Sequence, residues 1–292
     1  MNRDRFDRLS RPAQARWLDR REALRRMMFG AAAIPLARFA MGCGDSNEST
    51  VDASPGSGSG SADGSIGTSG GWATGGTAAM TDKASYPDPF TTAATSCVLV
   101  STTTEGPCTT TSDLVREDVS EAWKGLPVRL ALKVVNSSCA PVAGASVKIW
   151  HTNYEGIYSG QTPNPGMCND NNATYIAENF MRGVQTTAAD GTVFFDTCFP
   201  GWYNGRAVHI HFQVKNGSTT YRVSQLFFPE AITTDVFTNH VDYEEFGQPN
   251  TTFANDNVLS PITGDARTRL VFDVAKMTDN VMLASKIVTV TA

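Results

Sequence analysis

Val128-Arg129-Leu130-Ala131-Leu132-Lys133-Val134 alternates large aliphatic residues with Arg, Ala and Lys. Successive side chains of a β-strand point to opposite faces, so the four aliphatic side chains share one face and the other three share the opposite face. This period is typical of a strand with one buried side. The stretch therefore predicts a β-strand that packs against a hydrophobic core.

From about residue 96 onward, similar short apolar runs are separated by Gly, Pro, Asn and Asp. Further strands are predicted at 146–150, 192–196, 208–214, 221–228, 269–274 and 286–291. Seven short strands with turns between them predict a mainly β domain, folded as an antiparallel β-sandwich. Helix signals are few, with room for a short turn or two at 111–123.

The first 43 residues predict an export signal. They carry ten Arg and run into an apolar stretch at 27–37, which is shorter than the roughly 20 residues that span a bilayer. Residues 19–25 resemble a twin-arginine signal. Residues 40–43 resemble a bacterial lipobox, in which Cys43 becomes the acylated first residue and anchors the protein to a membrane; cleavage without a lipid is the alternative.

The rest of the chain divides into two parts. Residues 44–85 are dominated by Gly, Ser, Ala, Thr and Asp, which predicts a flexible tether, and 86–292 form the folded domain. Without the first 43 residues, 14 of the 24 basic and 25 of the 29 acidic residues remain, a net charge of −11. A chain this acidic would repel a polyanion, so nucleic acid is excluded as a partner.

Five cysteines follow the lipobox-like segment: Cys97, Cys108, Cys139, Cys168 and Cys198. In an oxidising compartment this number predicts up to two disulfides and one remaining thiol. The spacing leaves their pairing open. No Cys-x-x-Cys pair marks a zinc or redox site.

The strongest chemical signal is the segment Ala-Val-His-Ile-His-Phe-Gln-Val at 207–214. Apolar residues fill every second position, so His209 and His211 project together from the opposite face, near enough to share one metal ion. A His-x-His strand alone is more often a polar sheet face. However, a Pro/Gly-rich turn with Tyr203 and Arg206 lies just upstream, which strengthens the metal hypothesis.

Six segments, in the same order along the chain, resemble the intradiol ring-cleavage dioxygenases and cover most of residues 96–230. They are Thr-Glu-Gly-Pro at 104–107, Pro-Val-Ala-Gly-Ala-Ser-Val-Lys-Ile-Trp-His at 141–151, Gly-Ile-Tyr-Ser at 156–159, Arg-Gly-Val-Gln at 182–185, Pro-Gly-Trp-Tyr at 200–203 and Gly-Arg-Ala-Val-His-Ile-His at 205–211. The coincidence of several spaced motifs is far more specific than any one of them.

The resemblance implies a prealbumin-like sandwich core and a mononuclear iron(III) bound by Tyr158, Tyr203, His209 and His211. Hard phenolate oxygens suit a ferric ion, whereas zinc more typically binds Cys, His or carboxylate. The alternative for the two tyrosines is aromatic packing. The implied reaction inserts both atoms of O2 into a catechol-type ring and opens it between the hydroxylated carbons, giving a muconate-type dicarboxylate.

The resemblance also assigns roles to residues around the metal. Tyr203, displaced by the substrate, would act as the base for one substrate proton. Arg206 would offset negative charge on the ring, and Gln225 matches a glutamine that supports the site. The alternatives are a surface arginine and a polar residue at a strand edge.

Three departures from the family pattern limit what it implies. Cys108 replaces the aromatic residue that usually follows Thr-Glu-Gly-Pro, and the loop at 164–169 is of unfamiliar sequence. The substrate within the catechol class therefore stays open. The helical dimerisation domain of catechol 1,2-dioxygenases has no counterpart, so the oligomeric state stays open too.

A different class also fits part of the sequence. Residues 141–147 resemble transthyretin-like surface sandwiches, which predicts a non-catalytic binding module as the alternative function. That hypothesis gives no reason why two Tyr and two His should match the ligand positions together. An enzyme should hold about one iron per chain and a binding module none.

If Cys43 is acylated, the mature protein should fractionate with membranes, because the lipid partitions into the bilayer. Cys43→Ala should release a soluble, still active domain. Cell fractionation checks this prediction. Finding the unaltered mature protein in the soluble periplasmic or culture fraction would contradict the lipid anchor.

Overall fold

The computed structural model describes residues 71–92, 96–111 and 114–292, which form a sandwich of two four-stranded sheets. The predicted export signal, Cys43 and most of the predicted tether lie outside these residues. Within the described part of the chain, no helix is both long and apolar enough to cross a membrane.

The eight strands run in chain order as β1 Pro127–Val135, β2 Ser146–Trp150, β3 Arg182–Thr186, β4 Thr192–Cys198, β5 His209–Asn216, β6 Thr219–Phe227, β7 Asp273–Lys276 and β8 Met282–Thr289. One sheet has the order β4-β1-β8-β7 and the other has the order β3-β2-β5-β6. Neighbouring strands are antiparallel except β1 and β8, which are parallel. The predicted sandwich is confirmed, with this one parallel pair as the difference.

Four α-helices lie in the connections between strands: α1 Pro165–Cys168, α2 Ala173–Ala177, α3 Glu230–Asn239 and α4 Gly264–Thr268. Short 3-10 helices occupy Gly76–Ala79, Lys83–Ser85, Glu244–Phe246 and Asn257–Leu259. The connection from β6 to β7 contains α3 and α4 and carries the chain from one sheet to the edge of the other, after which β8 pairs in parallel with β1.

Several details of the secondary-structure prediction were wrong. The strand predicted at 269–274 is mostly loop after α4, and β7 begins only at Asp273. The prediction missed β3, because Arg182-Gly183-Val184-Gln185 is not an apolar alternation. It also missed α3. No helix forms in the described part of 111–123, where Val115 and Asp118 make single bridges to β3 and β4.

The core lies between the two sheets, and the alternation of β1 faces it as predicted. Val128, Leu130, Leu132 and Val134 are buried there, together with the apolar face of β5. The other face of β1 is covered as well, because Ala131 belongs to a second, smaller apolar cluster. That second cover explains why β1 is buried on both faces.

Part of this cover comes from residues that the sequence assigned to the tether. Trp72 Nε1 donates to Asp235 Oδ2 at 2.8 Å, and Lys83 Nζ lies 2.7 Å from Asp196 Oδ2. Gly76 is buried, and an added Cβ would lie only 2.2 Å from the carbonyl oxygen of Trp123. Residues 71–85 therefore contact the sandwich, although the Gly, Ser, Ala, Thr and Asp composition of 44–85 predicted a flexible tether there.

The five cysteines of the described residues form two disulfides, Cys97–Cys139 and Cys108–Cys168, and leave Cys198 as a buried thiol. The predicted number is confirmed, and the structure supplies the pairing. Burial raises the pKa of the Cys198 thiol, so it stays protonated and unreactive.

Candidate metal centre

Strand β5 places two imidazoles on the face of its sheet that points away from the core. Ile210 and Phe212 are buried between the sheets, while His209 and His211 alternate with them and are only 3% and 2% exposed. Because successive side chains of a strand point to opposite faces, one face of β5 supplies core residues and the other supplies the candidate ligands. Trp150, on the neighbouring β2, stacks on His211 with 4.8 Å between ring centroids and fixes the plane of that imidazole.

Tyr158 lies in the loop that follows β2, and Asn153 organises that loop. Asn153 is fully buried, and its Oδ1 accepts hydrogen bonds from the backbone N–H groups of Glu155 at 3.1 Å and Ile157 at 3.0 Å. The Asn153 carbonyl also accepts from Gly156 N at 3.0 Å. These local bonds turn the chain so that Tyr158 points back toward β5.

The loop that carries Tyr203 packs directly on this turn. Gly201 N donates to Asn153 O at 2.8 Å. A Cβ on Gly156, whose φ is +78°, would lie 2.1 Å from the carbonyl oxygen of Trp202, and a Cβ on Gly201 would lie 2.3 Å from the carbonyl oxygen of Tyr154. Only glycine permits this approach, which sets the distance between the two tyrosine loops.

The polar atoms of the four predicted ligands meet in one place. Tyr158 Oη is 3.4 Å from Tyr203 Oη and 3.5 Å from His209 Nε2. Tyr203 Oη is 3.3 Å from His209 Nε2, which is 3.1 Å from His211 Nε2. The structure thus brings together all four residues that the sequence proposed.

Burial controls the protonation of these groups in the metal-free protein. Desolvation, with the nearby Arg206 charge, holds the pKa of His209 and of His211 well below the usual range, so both imidazoles are neutral. His209 Nδ1 lies 2.6 Å from Ala207 O and donates its proton there, which directs the Nε2 lone pair at the cluster.

Desolvation acts on the two phenols in the opposite direction. Burial raises the pKa of Tyr158 well above its usual range, and it also raises the pKa of Tyr203, although the Arg206 charge opposes the rise. Both phenols are therefore protonated without a metal. A bound cation is the agent that could ionise them.

The spacing of the four donor atoms fits one shared metal ion. Ligand atoms about 2.0–2.2 Å from an ion, at angles near 90–110°, are roughly 2.8–3.6 Å apart, and four of the six separations among these donor atoms are 3.1–3.5 Å. Within the described ranges, no three His, Cys, Asp or Glu converge in a way that could hold a metal. A metal at this place would depend on the phenols.

Arg206 and Gln225 lie together beside the cluster, as the sequence proposed. Arg206 Nη2 donates to Gln225 Oε1, and Gln225 Nε2 donates to Thr104 O at 2.9 Å. Gln225 is fully buried on β6, so a polar residue at an open strand edge does not describe it. Arg206 is only partly buried and is held in a network, which excludes the free surface arginine.

Sequence reasoning missed Asp256, which holds Arg206 in place. Its carboxylate accepts from Arg206 Nε at 3.0 Å, from Ala207 N at 2.9 Å and from Val258 N at 2.8 Å. Asp256 is 1% exposed, and this many donors stabilise its buried charge. It lies in an Asn-Asp-Asn run that predicts only a loop, so no signal in the sequence marked it.

Residues 103–110, which we call the strap, cross the face of the site. An added Cβ on Gly106 would lie 3.4 Å from His211 Cε1, so the strap backbone runs against that ring. Arg182, buried on β3, donates to Cys108 O and to Thr110 Oγ1, each at 3.2 Å. The Thr-Glu-Gly-Pro and Arg-Gly-Val-Gln segments noted in the sequence therefore both belong to this site.

Comparison with known proteins shows the family of the chain. The dioxygenase family model matches residues 103–288. An intradiol ring-cleavage dioxygenase from Tetranychus urticae is 26% identical, and the match covers 67% of this chain and 95% of that chain with a TM-score of 0.59.

Two bacterial structures are more distant. The dioxygenase domain of a dioxygenase carbohydrate-binding protein fusion from the cellulolytic bacterium Streptomyces sp. SirexAA-E is 20% identical over 67% of this chain and 99% of that chain, with a TM-score of 0.48. The 3-chlorocatechol 1,2-dioxygenase from Rhodococcus opacus 1CP is 17% identical over 65% of this chain and 71% of that chain, with a TM-score of 0.46.

No curated protein matches the chain. The family model nevertheless spans more than half of it and includes all four convergent donors. This match favours the enzyme over the non-catalytic, transthyretin-like binding module. The chain belongs to the dioxygenase family and is an intradiol ring-cleavage dioxygenase, an enzyme that opens catechol-type aromatic rings.

Proposed function

We propose that the protein binds one iron(III) ion through Tyr158, Tyr203, His209 and His211. We further propose that it opens a catechol-type ring with O2 to a muconate-type dicarboxylate. The observation that carries the proposal is the convergence of the four donor atoms, with four of their six separations at 3.1–3.5 Å. Bound iron(III) supplies a Lewis acid that ionises phenols and draws electron density from a bound catecholate, which makes the ring reactive toward O2.

The donor set favours iron(III) over the other common metals. Two hard, anionic phenolates compensate most of a 3+ charge, whereas the two imidazoles stay neutral. Extradiol enzymes use iron(II) with two His and one carboxylate. Asp256, the carboxylate near this cluster, is already engaged by Arg206 and two backbone N–H groups.

Tyr203 is the residue that we assign as the base. It is the only partly exposed residue among the four, so it lies nearest to the solvent from which a substrate would approach. Its phenolate accepts the proton of one substrate hydroxyl, which lets the catechol bind as a dianion. Burial raises the pKa of this phenol and the Arg206 charge opposes that rise, so a bound cation would need to overcome less to form the phenolate.

Arg206 also stabilises the negative charge that develops on the substrate ring during the reaction. Its Nε is fixed by Asp256 and its Nη2 by Gln225, so the guanidinium is aimed before substrate binds. A preorganised cation costs little reorganisation when negative charge appears on the ring. Gln225 acts through Arg206 and the strap, and we assign it a positioning role.

We also propose that the enzyme acts outside the cytoplasm, exported by the twin-arginine-like signal and anchored through a lipid on Cys43. Support comes from the sequence of residues 1–43. The two disulfides agree with an oxidising compartment.

Product analysis tests the position of ring cleavage. Purified enzyme supplied with iron and O2 should convert at least one of catechol, protocatechuate and hydroxyquinol, and catechol should give a muconate-type dicarboxylic acid. Chromatography with mass detection identifies the product.

A yellow semialdehyde would contradict cleavage between the hydroxylated carbons while leaving an iron enzyme. If iron-loaded protein turned over none of the three substrates, the binding-module hypothesis would be open again.

Tyrosine substitutions test the ligands by colour. Tyrosinate bound to iron(III) absorbs visible light, so the iron-loaded protein should be red-brown, and Tyr158→Phe or Tyr203→Phe should shift or weaken the band. Tyr203→Phe should also lower kcat by about 10²–10⁴, because the base is lost. Visible absorption spectra and steady-state kinetics measure both effects.

Tyr221→Phe is the matched control. Tyr221 is on β6, and its Oη accepts from Asn216 Nδ2 at 3.1 Å, outside the cluster. The control should keep both colour and activity. A band that survives unchanged in both Tyr158→Phe and Tyr203→Phe would refute the phenolate ligands.

A further inference from the structure

The disulfide Cys108–Cys168 lies in the wall of the candidate metal centre. Both half-cystines are buried in one cluster with Trp150 and Tyr158, and Tyr203 packs against that cluster. The other disulfide, Cys97–Cys139, is not part of it. One of the two cross-links is therefore in contact with ligand residues.

On one side, the cross-link holds the strap. Gly106 in the strap runs against the ring of His211, and Thr104 O accepts the hydrogen bond from Gln225 Nε2 at 2.9 Å. At the far end of the strap, Lys148 Nζ donates to Thr110 O at 2.5 Å. The strap has no regular secondary structure. At one end, Thr103 N donates to Val223 O at 3.3 Å, and the position of the strap over His211 otherwise depends on contacts with side chains and on the bond at Cys108.

On the other side, the cross-link holds the loop at 164–169, which we call the lid loop. The loop contains the four-residue helix α1, whose N-cap Asn164 accepts from Met167 N at 3.1 Å, and Met167 is 58% exposed. Cys168 O accepts from Tyr158 N at 2.9 Å. The lid loop therefore fixes the backbone of a ligand residue, although the loop itself is short and borders solvent.

We propose that Cys108–Cys168 is a positioning cross-link for the metal centre. It ties the strap, which covers His211, to the lid loop, which holds Tyr158, and so keeps two ligands from different parts of the chain at a fixed spacing. The inference rests on the proposed function insofar as these residues bind the metal.

The energetic reason lies in the metal-free site. Three of the contacts that link the four side chains are 3.3–3.5 Å long, which is weak for a hydrogen bond, so these contacts order the cluster only loosely. A disulfide close to the donors holds the ligand side chains in position before the ion binds, so that the ion does not have to order them. Supporting groups outside the ligand set typically change metal affinity by about 10–100-fold when they are removed.

The two disulfides allow a matched comparison. Cys108→Ala/Cys168→Ala removes the cross-link at the site, and Cys97→Ala/Cys139→Ala removes the remote one. The loops that they close have similar lengths, with sequence separations of 60 and 42, so their loss relaxes the unfolded chain by similar amounts. A difference in metal binding between the two variants would then result from where the lost disulfide lies, and not from a difference in overall stability.

Two measurements test the proposal on the folded full chain. The rate of iron release from the loaded enzyme to a strong chelator should rise about tenfold or more in Cys108→Ala/Cys168→Ala and stay at the wild-type value in the remote variant. Amide hydrogen exchange in the iron-free protein should show Tyr158 N losing about tenfold of its protection only when the site cross-link is missing.

Equal iron release and equal Tyr158 protection in both variants would overturn the proposal. Failure of Cys108→Ala/Cys168→Ala to fold, with the remote variant folded by circular dichroism, would also overturn it, since the bond would then serve the whole domain. If the wild type bound no iron, the proposed function would fail, while hydrogen exchange of the iron-free protein would still decide whether the cross-link orders Tyr158.

Discussion

The two-residue period of β5 is the constraint on which the structure depends. One face of the strand buries Ile210 and Phe212 between the sheets, and the same register turns His209 and His211 outward under Trp150 and the strap. A shift of one residue would move both imidazoles into the core and both apolar residues into the site. The packing energy of the sandwich therefore also fixes the position of the imidazoles.

The tyrosines reach those imidazoles through contact between two loops that are distant in sequence. Gly156 and Gly201 let the backbones approach so closely that any side chain would collide with a carbonyl oxygen. The result is a buried cluster of neutral donors beside a fixed guanidinium. Burial keeps both phenols protonated, and the proposed iron(III) would ionise them.

The sequence was informative where one periodicity or one motif controls the structure. The alternations of β1 and β5 predicted the sandwich, and the spaced motifs predicted which two tyrosines meet the histidines. The sequence was uninformative where contacts between residues distant along the chain determine the structure. Asp256 lies in an ordinary polar loop, β3 has no apolar alternation, and Trp72 is the one aromatic residue in a stretch with tether-like composition, so none of them carried a local signal.

The central claim is that one ferric ion is held by two phenolates and two imidazoles, and metal content combined with iron X-ray absorption tests it most directly. Protein purified and supplied with iron should bind about one iron per chain, surrounded by nitrogen and oxygen near 2.0–2.2 Å and by no sulfur. His209→Ala and His211→Ala should each lower the iron content. A preparation that remains metal-free after iron is supplied would contradict the claim.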